Sequence, residues 1–142
     1  MSLAPPLATL VALLHGHCRI PVALGRPDGA TPGLHVWPWR LSENLAARNV
    51  PRPRRPNGER EATPPATQIH FLVLASPILA PAGLDALAAA RTALLETPLL
   101  EIPGDRYSID LEPLATADLA AVFSAAGLPL QLCLSGLLRP LA

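Results

Sequence analysis

Apolar residues recur at helical spacing in three segments of the chain. In residues 5–15 they fall at i, i+3, i+4 and i+7, which gives one apolar face: Leu7, Leu10, Val11 and Leu14. Gly16 is the predicted stop of this helix. The alanine- and leucine-rich residues 84–95 predict a second helix. Residues 117–126 predict a third helix, with Thr116 as its cap.

Shorter apolar or alternating segments predict five strands. They are residues 19–24, 34–40, 68–75, 107–111 and 130–134. Residues 68–75 are apolar on both faces, which is typical of a central strand covered on both sides. Pro38 cannot donate a hydrogen bond to a ladder, so we expect residues 34–40 to lie at a sheet edge or to contain a bulge.

The element order is helix, three strands, helix, strand, helix, strand. It predicts an α+β fold in which a mixed β-sheet is flanked by about three helices. The length of 142 residues fits a single domain. We expect residues 1–142 to form that domain, with a Pro/Arg-rich loop at about residues 48–67.

Composition excludes some classes of partner. The formal net charge is zero and 50% of the residues are hydrophobic. Because nothing global attracts phosphates, we expect neither a nucleic acid nor a membrane surface as partner. The first residues lack a positive region and a cleavage site for secretion, so we expect synthesis in the cytoplasm.

Enzyme motifs are sparse. The chain has no lysine, so it has no Walker A loop, and it has no G-x-S-x-G elbow. His15, His17 and Cys18 are the best metal candidates, but no second pair shows ligand spacing. We therefore predict no catalytic residue, no cofactor and no metal site. We expect His70 to be a hydrogen-bonded core or interface histidine, and Cys18 and Cys133 to be two apolar thiols.

Two features indicate protein contacts. Five arginines and no lysine lie in and beside the proline-rich loop: Arg48, Arg52, Arg54, Arg55 and Arg60. They fit either a docking arm for an acidic partner or a solubilising loop. Trp37 and Trp39 lie at i, i+2, so on a strand they project to one side, either as core residues or as anchors of a protein contact.

The linear pattern resembles a known family. LHVWPWRLSENLAARN, a proline-rich loop and TQIHFLVLASP follow one another, and ETPLL, LEP, DLAAVFSAAG and LPLQLCLSGLLRPL come later. This layout is similar to the cap, or tube-terminator, family of phage-tail-like contractile injection systems. The E-N…R-N motif of that family falls here on Glu43, Asn44, Arg48 and Asn49.

The resemblance implies a structural protein with a phage tail-terminator-like fold. Such caps form a ring, expected to be a homohexamer, at the end of the inner tube far from the baseplate. They stop tube growth and help attach the sheath, so the implied partners are a second copy, the tube protein and the sheath protein. The implied location is an assembled particle that can be released from the cell.

Residues expected at such interfaces combine the two tryptophans, the motif and the loop. They are Trp37, Trp39, Glu43, Asn44, Arg48, Asn49, Arg52, Arg54 and Arg55. Two alternatives remain open. One is a soluble α+β binding module that docks an acidic partner through its arginine-rich loop. The other is a small metal-dependent enzyme built on His15, His17 and Cys18.

Overall fold

The computed structural model describes residues 2–43, 56–58 and 67–141. Its elements are α1 (Ala4–Cys18), β1 (Val22–Leu24), β2 (Gly33–Glu43), β3 (Thr67–Ser76), α2 (Pro81–Glu96), β4 (Leu99–Ile102), β5 (Asp105–Leu111), α3 (Thr116–Ala125) and β6 (Cys133–Leu141). The predicted α+β class is confirmed. In the described ranges no helix has the length and apolar character that crossing a bilayer requires.

One mixed sheet organises these elements. The strand order is β1-β2-β3-β6-β5-β4. β1 runs parallel to β2, and the other neighbouring pairs are antiparallel. β3 is the strand predicted to be central, and its residues from Ile69 to Ala75 are all buried. That prediction is confirmed, because a strand covered on both faces needs apolar side chains on both.

β2 carries the irregularity that Pro38 predicts. The register of β2 against β3 shifts between Pro38 and Arg40, which leaves Trp39 as the extra residue of a β-bulge. β1 pairs with β2 only as far as Val36. Beyond that residue, no strand in the described part of the chain pairs with the outer side of β2.

The first face of the sheet is closed by α1 and α2. Its buried cluster joins both helices to side chains of β2, β3, β5 and β6, and Leu10, Leu14, Phe71 and Leu138 are among its fully buried members. Helix α2 approaches β3 closely, since a Cβ atom on Gly83 would lie 2.8 Å from that of Ala75. This face forms the larger part of the core.

The second face is covered by α3. Its buried cluster is small and consists of Leu72, Leu74 and Phe123. Phe123 is the one buried residue of α3, with Leu119 and Val122 packed beside it. The predicted inward positions of this helix are confirmed.

Several predicted boundaries are wrong. α1 continues past Gly16 to Cys18, because Cys18 is buried in the first-face cluster one turn after Leu14. The left-handed residue that ends the helix is Arg19 (φ 57°). α3 already includes Thr116, whose side chain caps nothing.

The largest error concerns the strands near the C-terminal end. β4 was not predicted, because Leu99–Ile102 is only 4 residues long and directly follows the α2 helix. A turn through Gly104, with φ 83°, joins it to β5. β6 begins at Cys133 and continues to Leu141, whereas the alternation predicted residues 130–134.

Candidate functional site

An open groove lies between β2 and α3. We call it the tryptophan groove, and its volume is about 560 Å³. The lining residues are Arg26, Trp37, Pro38, Trp39, Ala121, Val122, Ala125 and Ala126. Its floor and walls are apolar, and Arg26 brings the one charge of the lining.

The bulge in β2 shapes the floor of this groove. Trp37 packs edge-on against Phe123, with ring centroids 5.8 Å apart and planes at 70°. Trp39, the bulged residue, lies tilted over the ring of His70 with centroids 5.7 Å apart. Both tryptophans pack against the second-face cluster, as their i, i+2 spacing predicts, and both remain half-buried.

Helix α3 forms the opposite wall with small side chains. Ala121 and Ala125 are exposed there and leave room above the indole rings. The Arg26 guanidinium donates a long hydrogen bond of 3.5 Å to the carbonyl oxygen of Ala126 at the rim. A large apolar or aromatic side chain of a partner fits such a groove, because indole rings bury much area at low entropic cost.

Beside the groove, three polar side chains form a hydrogen-bonded chain. Ser42 Oγ lies 2.6 Å from Nε2 of His70, and His70 Nδ1 lies 3.0 Å from Oε2 of Glu112. Ser42 Oγ also lies 3.3 Å from Oε1 of Gln68. The chain links β2, β3 and the segment after β5, and His70 is only 6% exposed.

Two proton arrangements satisfy these contacts. With Glu112 ionised, Ser42 can donate to Gln68 Oε1 only if both ring nitrogens of His70 donate, which makes the imidazole a cation paired with Glu112. If His70 is neutral, Ser42 donates to Nε2 and the Gln68 amide turns its NH₂ group toward Ser42. In both cases the buried histidine is satisfied, as predicted for His70.

The order Ser–His–carboxylate also occurs in serine hydrolases. Here, however, Ser42 lies within β2 rather than on a sharp turn between a strand and a helix. Its hydroxyl is shared with Gln68. The arrangement therefore fits a cross-link between neighbouring strands better than an activated nucleophile.

The metal candidates do not converge. Cys18 is buried in the first-face cluster, whereas His15 and His17 are exposed on α1. His17 Nδ1 hydrogen-bonds the carbonyl oxygen of Leu13 instead, at 2.8 Å. Among the described residues no group of three or more metal-ligating side chains occurs.

The two cysteines lie on opposite faces of the sheet. Cys18 belongs to the first-face cluster, and Cys133 packs against the second-face cluster. Both thiols are free. Burial raises the pKa of both thiols, because a thiolate is poorly solvated in apolar surroundings.

The predicted interface residues divide into two groups. Trp37 and Trp39 line the groove, and Glu43 is the last residue of β2. The others lie outside the described residues, as does nearly all of the predicted loop at 48–67: Asn44, Arg48, Asn49, Arg52, Arg54 and Arg55.

Sequence reasoning missed three contributors to this region. Ser42 and Glu112 lie 28 and 42 residues from their shared partner His70, so no local motif could join them. Arg26 stands in a turn-rich segment that only the fold brings beside α3. The one available signal was the polar His70 inside an apolar strand.

The fold can be compared with known proteins. No protein-family model and no curated protein sequence matches the chain. The sheath/tube terminator of the PVC extracellular contractile injection system, in its extended state, matches with a TM-score of 0.73 and 13% identity. The tube-terminating cap of the anti-feeding prophage matches with a TM-score of 0.72 and 16% identity.

Both matches span this chain completely. They cover 100% of it, but only 57% and 56% of the two larger chains. The chain thus spans little more than half the length of either protein. Its α+β fold is that of the tube-terminating caps of contractile injection systems, as the resemblance implied.

Proposed function

We propose that this protein caps the inner tube of a contractile injection system at the end far from the baseplate. It acts there as a homohexameric ring that stops tube growth and helps attach the sheath. The observation that carries the proposal is the match of the whole chain to two such caps at TM-scores of 0.73 and 0.72. Residues 1–142 form a single cap domain, with the Pro/Arg-rich loop as an additional contact.

The surfaces of the fold support this role. A ring needs head-to-tail contacts between two different surfaces of each copy. The tryptophan groove and the outer side of β2 supply one apolar surface with an edge. Pro38 and the bulge at Trp39 interrupt that edge, which limits uncontrolled strand addition.

We propose a structural role without catalysis. Ser42, His70 and Glu112 form an array with the order of a catalytic triad, and their contacts fit a structural cross-link. Metal-ligating residues in the described ranges do not cluster. The partners are then a second copy, the tube protein and the sheath protein.

A tagged copy expressed in the source cell tests the proposal. We expect the tag to bring down rod-shaped particles, visible by negative-stain electron microscopy, with the tag at one end only. Deletion of the gene should give tubes of uncontrolled length. Recovery of a single soluble acidic partner without rods would instead support the binding-module alternative.

The groove can be tested separately in the same assay. Ala125→Arg places a long charged side chain into the groove from an exposed helix position. We expect a folded protein that is lost from particles. Ala117→Arg changes an exposed position of α3 that does not line the groove, so it is the matched control. Equal incorporation of both variants would exclude the groove as a contact.

The arginines of the loop form a further contact in this proposal. Their clustering suggests that Arg52, Arg54 and Arg55 contact acidic groups of the tube or sheath. Charge reversal at all three positions should reduce attachment to particles while the free protein stays folded. Unchanged attachment would refute this contact and leave the cap role intact.

A further inference from the structure

In the described part of the chain, two edges of the sheet are available for pairing: β4 at one end, and at the other end the part of β2 that extends past the short terminal strand β1. β2 has no partner on its outer side after Val36 in the described part of the chain, and β4 pairs only with β5 there. An exposed strand edge offers unpaired N–H and C=O groups to another chain. A protein with two such edges can join them head to tail.

We propose that β4 of one copy pairs in parallel with residues 40–42 of β2 in the next copy, so that the sheets continue around the ring. This inference rests on the proposed function, because it takes the ring as given. It adds the two segments that meet, their relative direction and the side chains that face each other.

The parallel direction follows from the topology. Four antiparallel pairings separate β2 from β4, through β3, β6 and β5, so the two edge strands run in the same direction. Rotation about an axis roughly along the strands preserves that direction. The joint between neighbouring copies is then parallel, and it is heterologous because each copy contributes a different edge.

Apolar side chains match across this joint on the first face. Leu41 pairs with Ile69 of that face in the β2–β3 ladder, yet it is 53% exposed. On β4, Leu100 is buried in the first-face cluster and Ile102 packs against it. Since strand side chains alternate, the register that sets Arg40 opposite Glu101 keeps both first faces together and places Leu41 opposite Ile102 of the neighbour and diagonal to Leu100.

Charges match on the second face. Arg40 lies opposite His70 in the ladder and shares the second face with Ser42, while Glu101 and Leu99 share that face on β4. Arg40 is exposed, and no described carboxylate lies within ion-pair distance of it. Glu101 has a 70% exposed side chain, and its Oε1 lies 3.4 Å from the Arg106 guanidinium. Arg40 and Glu101 therefore complement each other across the joint.

Ring closure also accounts for two exposed leucines. Leu41 and Leu99, which is 42% exposed, would both lie in the joint. In such a ring the edge of β4 and the free part of the β2 edge are paired, as strand edges are in a barrel, while the outer side of the 3-residue β1 is not part of the joint. The edges that the described residues of a single copy leave unpaired are thus consistent with a protein that is complete only as a ring.

Charge exchange is the first test. Arg40→Glu and Glu101→Arg should each weaken self-association by about fivefold or more, because each places like charges in the joint. An equimolar mixture of the two variants should restore it, since an alternating ring regains opposite charges at every joint. Arg91→Glu, at an exposed position of α2, is the control for net charge. Analytical ultracentrifugation measures the association.

Disulfide cross-linking tests which residues face each other across the joint. In a Cys133→Ser background, the double variant Arg40→Cys/Glu101→Cys should form a ladder of disulfide-linked multimers under oxidation, since Cβ atoms of paired strands lie within disulfide reach. Each single cysteine variant should give no ladder. Dimers from Arg40→Cys alone would indicate that two β2 edges meet and would overturn the proposal.

The outcomes separate this inference from the proposed function. If the unmodified protein forms no oligomer, either alone or on tube ends, the ring itself is wrong. If it forms rings but neither the charge exchange nor the cysteine pair has the expected effect, only the β2–β4 joint is refuted. Far-UV circular dichroism of every variant excludes misfolding as the cause.

Discussion

The two faces of the sheet differ in how completely they are covered. The first face carries α1 and α2 and a continuous apolar cluster that includes fully buried leucines and phenylalanine. The second face carries α3 and a cluster of only three buried residues, with the tryptophan groove beside it. The same sheet thus combines a closed core with an open, accessible surface.

Buried polar atoms without a hydrogen-bond partner also distinguish the two faces. Three buried polar side-chain atoms have no hydrogen-bond partner within the described residues: Trp39 Nε1, Ser135 Oγ and Arg139 Nε. Trp39 belongs to the second-face cluster, and Ser135 lies opposite Leu72 of that cluster. Because buried polar atoms are normally satisfied, the second face is the less optimised one.

Truncation of core residues should show the largest difference between the faces. We expect Leu10→Ala, in the first-face cluster, to lower the free energy of unfolding by about 2–5 kcal/mol, because it leaves a cavity between α1 and the sheet. Val122 is half-buried at the groove. Val122→Ala should lower the free energy of unfolding by only about 1 kcal/mol, because the site is already open to solvent. Urea denaturation measures both. If both variants lost the same free energy of unfolding, the two faces would not differ in how tightly they are packed.

Overfilling a close contact on the first face should destabilise the protein nearly as strongly. The ring of Phe71 lies directly over Gly136, where an added Cβ would collide with it. We expect Gly136→Ala to destabilise by about 1–3 kcal/mol through overpacking. Gly16→Ala is the matched control, because its Cβ meets no atom within 4 Å and an exposed helix position gains from alanine. If Gly136→Ala left the free energy of unfolding unchanged, the ring of Phe71 would be free to move away from position 136.

The hydrogen-bonded chain of the second face should have a moderate effect. Ser42→Ala removes the partner of His70 Nε2 and should cost about 1–3 kcal/mol, since a buried ring nitrogen is left unsatisfied. Ser108→Ala, which removes a hydroxyl that donates to Asp110 on the same strand, should lower the free energy of unfolding less. A fluorophosphonate probe should not label Ser42. Stoichiometric labelling would contradict the proposed non-catalytic role.

Thiol reactivity should show the smallest difference, without a change in stability. Cys133 is half-buried on the second face and should react with a disulfide reagent faster than Cys18, the last residue of α1, whose side chain is buried in the first-face cluster. Because burial raises the pKa of both thiols, the thiolate fraction is below that of a free cysteine at neutral pH. Both rates should therefore rise with pH through a midpoint above the usual value. Faster reaction of Cys18 would indicate that α1 opens readily.

The sequence alone determined the class of fold and most of its elements. Periodic apolar positions located all three described helices and the central strand β3. The spacing of apolar residues along the chain indicates which side of a helix is buried, and a continuous apolar run indicates a strand that is buried on both faces. Pro38 foretold the bulge and edge of β2, because a residue without N–H cannot complete a ladder. The order of short motifs also indicated the cap fold.

Tertiary structure decided what depends on residues distant in the chain. The 4-residue strand β4 exists because β5 pairs with it, and no periodicity distinguishes so short a segment. The same holds for the chain Ser42–His70–Glu112 and for the groove, where Arg26 meets α3. Local sequence sets which face of an element is apolar, but only packing decides which elements meet and which edges stay open.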